Sequence, residues 1–64
     1  MAIEVLKTEN DKGTLDGALA IAFPGATEIE NDGLIGVGFG TVVVDGVAWD
    51  WVQKFDRLRF TETC

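Results

Sequence analysis

Glu28, Glu30, Asp32 and Gly33 place acids at the first, third and fifth positions and glycine at the sixth of a would-be calcium loop. Such a loop needs a bidentate glutamate at its twelfth position, and here that position is Phe39, so an EF-hand is rejected. Gly33, Gly36, Gly38 and Gly40 imitate a nucleotide loop, but no Lys-Ser/Thr pair follows and the next lysine is Lys54. A phosphate cradle of that kind therefore fails, and a dinucleotide fingerprint fails because these glycines read as part of a strand. With no histidine in the chain, nucleophilic catalysis lacks its usual base, and the carboxylate pairs are those any acidic chain carries. The expectation is a protein that is not an enzyme and uses no cofactor or metal.

The acids suggest a different role. Alternate strand residues project from one face about 6.6 Å apart, from a rise of about 3.3 Å per residue. Glu28, Glu30 and Asp32 would then form a ladder whose spacing approaches that of successive phosphates, suited to a site built for nucleic acid. The simpler reading is a solvated outer face of a hairpin. Trp49 and Trp51 have the same duality: core residues, or aromatic anchors of an interface, where tryptophan is enriched.

Charge narrows the partners. The chain of 64 residues has 11 acidic and 5 basic residues for a net of −6, and no basic residue occurs between Gly13 and Gln53. Direct nucleic-acid binding through this span is disfavoured, because phosphate contacts need Lys or Arg. A protein partner with a basic surface is favoured, with salt-dependent encounter. The apolar fraction of 47% is high for so short a chain and makes a homo-oligomer the other expectation. No apolar run reaches the ~20 residues that cross a bilayer, and acidic Glu4 stands where a signal peptide carries basic residues, so a cytoplasmic protein without membrane contact is expected.

A chain of this length makes one small domain, residues 1 to 64, burying only about 60% of its unfolded surface. Cys64 is the only cysteine, so no internal disulfide forms and the expectation is an exposed thiol.

The elements that must position these residues follow from pattern. Residues 2 to 8 alternate as a short strand, and Asn10 to Gly13 turn. Residues 14 to 23 read as a helix: Thr14 caps, Asp16 sits in the first turn, alanines fill it and Pro24-Gly25 stop it. A strand with Leu15, Leu19, Ile21 and Phe23 on one face is the competing assignment. Residues 27 to 31 then alternate with Ile29 inward, and Asn31-Asp32-Gly33 predicts a tight hairpin. In the return strand Ile35, Val37 and Phe39 form a packing face, leaving Gly36, Gly38 and Gly40 on a bare face open to close approach. Asp45-Gly46 predicts a second hairpin into a strand carrying Val47, Trp49 and Trp51 on one face as far as about Val52. A helix from Asp45 aligning Ala48, Trp51, Val52, Phe55 and Leu58 competes with it.

The fold expected is α+β, one short helix packed on a small antiparallel sheet, with an all-β small barrel as the alternative. The capped helix, Phe23-Pro24-Gly25-Ala26 and Glu28-Ile29-Glu30-Asn31-Asp32-Gly33 with the apolar strand after it resemble a segment of small uncharacterised proteins of tailed bacteriophages, over residues 14 to 40. That resemblance implies an accessory phage protein in a bacterial cytoplasm and carries no site residues. Two functional classes result: an acidic binding module that inhibits a host nucleic-acid-handling or defence complex, or an assembly protein that associates with itself or a virion.

Overall fold

A computed structural model describes residues 1–34 and 36–63. The chain runs β1 (Ala2–Leu6), α1 (Leu15–Ala22), β2 (Ile29–Asn31), β3 (Phe39–Val44), β4 (Val47–Lys54) and β5 (Arg57–Glu62). The five strands form one antiparallel sheet in the order β1-β5-β4-β3-β2.

The expected fold class is corrected by this architecture. Helix accounts for 13% of the structure and strand for 45%, so the body of the molecule is a β-sheet with a helix of about two turns laid on it. The small-barrel alternative fails too, because the sheet does not close and β1 and β2 remain at opposite edges.

Local chemistry explains the helix. Thr14 is extended, and its hydroxyl accepts from the Gly17 N–H at 3.0 Å, satisfying one of the donors a helix start leaves open. The Asn10 side-chain amide donates to the Thr14 carbonyl at 2.9 Å and holds the cap in place. Gly17 is required by that contact, because a Cβ there would collide with the Asn10 amide oxygen. Asp16 lies in the first turn, where the helix dipole favours an anion. The Phe23 N–H donates to the Leu19 carbonyl and Pro24 ends the run.

The helix covers one face of the sheet. Leu15, Ala18 and Leu19 pack against Val5, Val42, Val44, Trp49, Trp51, Leu58 and Phe60, all buried. Phe23 meets the rings of Trp49 and Phe60 edge-on, with centroids 5.1 and 5.4 Å away, geometry that aromatic quadrupoles favour.

The glycine segment differs most from expectation. β2 has three residues and β3 begins only at Phe39, so no tight hairpin forms at Asp32-Gly33. Phe39 opens β3 and lies on the uncovered side of the sheet, while Val37 packs against the core. Ile35 lies outside the described residues, as does Cys64. Of the three glycines expected to be approached closely, Gly36 (φ +92°) has open space around it and Gly38 has only the Gln53 carbonyl near contact. Gly40 and Gly33 are the two glycines of this segment closed in by a side chain. A Cβ on either would fall within 3 Å of the Trp51 indole. The two glycines are bare because Trp51 occupies the space their side chains would need.

The helix competing for residues 47 to 58 does not form. β4 continues to Lys54, and Phe55-Asp56 turn it into β5. Ile29 lies on the helix side of the sheet yet is half exposed, because β2 is an edge strand beyond the reach of α1.

Candidate functional site

Strand pairing sorts the side chains into two faces. Trp49 and Trp51, 7% and 2% exposed, lie on the covered face, so neither can anchor a partner. The reason is register: the Asp45-Gly46 turn sets Val42 opposite Trp49 and Gly40 opposite Trp51, directly beneath the helix. The Trp51 indole N–H is buried without a hydrogen-bond partner among the described residues.

The same register places Phe39 opposite Val52, and Thr41 opposite Asp50, on the uncovered face. No described element packs on this face, because the one helix among the described residues lies on the other. Phe39 is 69% exposed, and Leu34, in the loop beside it, 74%. With Asp32, Asp50 and Val52 they line a cleft of about 530 Å³ under which Trp51 forms part of the floor. Apolar side chains exposed together and rimmed by polar ones mark interaction sites more often than isolated exposed residues do.

The acidic ladder borders this cleft. Glu30 pairs with Val43 in the sheet, the Asp32 N–H donates to the Thr41 carbonyl, and the Glu28 carbonyl accepts from the Asp45 N–H. Glu28, Glu30 and Asp32 thus occupy alternate positions along the β2 edge, all exposed. They project to the same side as Phe39 and Asp50. Asp45 anchors this edge: its carboxylate accepts from the Thr27 hydroxyl at 2.7 Å, the Glu28 N–H at 2.8 Å and the Thr27 N–H at 3.1 Å. The Thr27 hydroxyl first, then the Glu28 amide, hold the Asp45 carboxyl below its ordinary value.

Positive charge gathers at the other end of the uncovered face. Lys54 and Arg57 stand directly opposite each other, and Arg59 pairs with Val52. Arg59 grips one oxygen of Glu4 through two nitrogens at 3.0 and 2.6 Å, with Arg57 3.9 Å from the other oxygen. The Arg59 hydrogen bonds lower the Glu4 carboxyl from its usual range. Between Lys54 and Arg57 the turn presents Phe55, 97% exposed and at φ +53°.

Leu34, Phe39, Val52 and Phe55 were not among the candidates the sequence suggested. A signal for two of them existed: a two-residue Asp-Gly turn fixes hairpin register, and counting outward from it puts Phe39 and Val52 together on the face opposite the tryptophans.

Chemically, the face offers apolar contact and charge. Among the described residues no group of three metal-ligating side chains converges, and no helix is long and apolar enough to cross a membrane. Compared with protein-family models, curated proteins and solved structures, the chain finds no match, so its function must be argued from the geometry of this face.

Proposed function

We propose that the chain is a small acidic protein-binding module without catalytic activity, and that it docks through the uncovered face of its sheet. The observation that carries this reading is the coincidence of Leu34, Phe39 and Val52, all exposed, with a carboxylate border of Glu30, Asp32 and Asp50. Apolar contact supplies the adhesion, and the carboxylates select a partner whose matching surface alternates apolar and cationic groups. Charge complementarity of this kind mainly raises the association rate and rejects anionic competitors. Tryptophan anchoring is not part of the reading, since both indoles belong to the core.

A designed peptide alternating leucine and lysine, titrated into isotopically labelled protein, tests it. Amide shifts should cluster at Asp32, Leu34, residues 39–41, Asp50 and Val52 and weaken as salt screens the carboxylates. Shifts confined to the helix side, or none at all, would count against the face.

A further inference from the structure

The β4–β5 tip combines three features that each oppose stability. Phe55 holds a left-handed conformation, φ +53°, that aromatic residues rarely adopt, and its ring is 97% exposed. Lys54 and Arg57 flank the turn as a directly opposed like-charge pair, an arrangement that weakens a sheet, with the Asp56 carboxylate 3.8 Å from Arg57 offsetting part of the repulsion. A strained, exposed aromatic between two cations is poorly explained by folding, and strain of this sort concentrates where a molecule binds.

The chain contains the complement of this tip. The cleft of Leu34, Phe39 and Val52 is apolar and bordered by Asp32 and Asp50, and its volume of about 530 Å³ leaves room for a phenyl ring. Resting on the docking face argued above, we infer that the partner with the basic surface is a second copy of this chain. Its Phe55 enters the cleft while its Lys54 and Arg57 meet Asp32 and Asp50. A second cleft, between the end of β1 and the β4–β5 turn, is bordered by Lys7 and Arg57 against the single carboxylate of Asp56, so its net charge is positive and suits a cationic tip less well. The net charge of −6 opposes the approach of two copies, but at physiological salt the screening length is about 8 Å, so distant repulsion fades while pairs in contact persist.

Mass in solution by light scattering tests the pairing. The wild type at up to about 1 mM, where a contact with a Kd of that order is well populated, should exceed the monomer mass. Phe55→Ser should be monomeric, and so should two charge-reversed variants, Lys54→Glu/Arg57→Glu and Asp32→Lys/Asp50→Lys. An equimolar mixture of the two reversed variants should regain the wild-type mass, because each tip again faces a cleft of opposite charge. Circular dichroism and the emission of the buried Trp49 and Trp51 establish that each variant is folded, and Phe55→Ser stands in for a reversed variant that is not. A monomeric wild type that still takes the leucine-lysine peptide would overturn self-recognition alone, and one that takes neither would overturn the docking face as well. A wild-type assembly unchanged by Phe55→Ser and by both reversals would also overturn the inference.

Discussion

The two ends of β4 are closed by turns of the same length and opposite design. At its start, Asp45 and Gly46 both have positive φ, 48° and 83°, which suits the mirror-image turn that matches strand twist and favours these residue types. Asp45 then secures a third strand through Thr27 and Glu28. At its far end, Phe55 takes the positive φ where glycine is the normal choice, and Lys54 opposes Arg57. One turn satisfies every local preference and the other violates two, though both close hairpins of one sheet. Such a contrast within 12 residues teaches that the second turn is kept for what it presents to the outside, since sequence and fold otherwise agree.

The contrast can be broken most forcefully at the well-made turn. Gly46→Val forces a β-branched residue to φ +83° and should cost about 2 kcal/mol, roughly 10 °C in Tm for a domain of this size. A loss no greater than that of a surface substitution would show that the Asp45-Gly46 geometry is not what holds the hairpin.

At the ill-made turn the sign reverses. Phe55→Gly relieves about 1–2 kcal/mol of left-handed strain and returns part of it as unfolded-chain freedom, for a net gain of roughly 0.5–1 kcal/mol. Thermal melts of protein dilute enough to be dissociated would measure it, and a fall in Tm would mean that Phe55 contributes to the fold.

Acid separates the turns further. Asp45 has its native value lowered below the ordinary 3.8, so its stabilisation is fully present above that value and disappears as pH falls through the lowered one. Asp45→Asn keeps a residue that tolerates positive φ and removes the titration. The gap between wild-type and Asp45→Asn denaturation midpoints should therefore be constant near neutrality and shrink below about pH 4. Glu4, also lowered, titrates in both proteins and cancels from the difference. A gap that persists undiminished at pH 2 would remove the carboxylate from the account.

The smallest effect belongs to Lys54→Glu, which turns a like-charge pair into an attractive one across from Arg57. A gain of roughly 0.2–1 kcal/mol at low salt, vanishing at high salt, is expected from denaturant titration.

Where local chemistry and global packing agreed, the sequence was legible. Thr14 announced the helix start, Asp45-Gly46 the central hairpin, and the Trp49-Asp50-Trp51 alternation the buried side of β4. The fold class was misjudged because eight helical residues weighed too heavily against a final hairpin whose turn, Phe55-Asp56, opens on an aromatic with no glycine to mark it. The glycine segment misled for another reason. Asn31 does form its local turn, its side chain accepting from the Gly33 N–H at 2.9 Å. The chain nevertheless leaves the ladder there, and Gly33 and Gly40 close around the Trp51 indole. A bare glycine face and a socket for a distant tryptophan look identical in sequence. Part of the docking cleft was hidden with it, since Leu34 lies on that detour, whereas Phe39 follows from the β3–β4 register.

The brevity and acidity of β2 bear on strand addition at the edge of the sheet. A sheet with two open edges can grow without limit, but here one edge is three residues long with Glu30 inside it and Glu28 and Asp32 at its ends. A second such edge would meet it with carboxylate facing carboxylate and too little backbone to bond. Strand addition is thereby disfavoured at the β2 edge, which leaves β1 as the other edge of the sheet. A sheet blunted at one edge cannot be extended edge to edge from both sides, the step that cross-β growth needs.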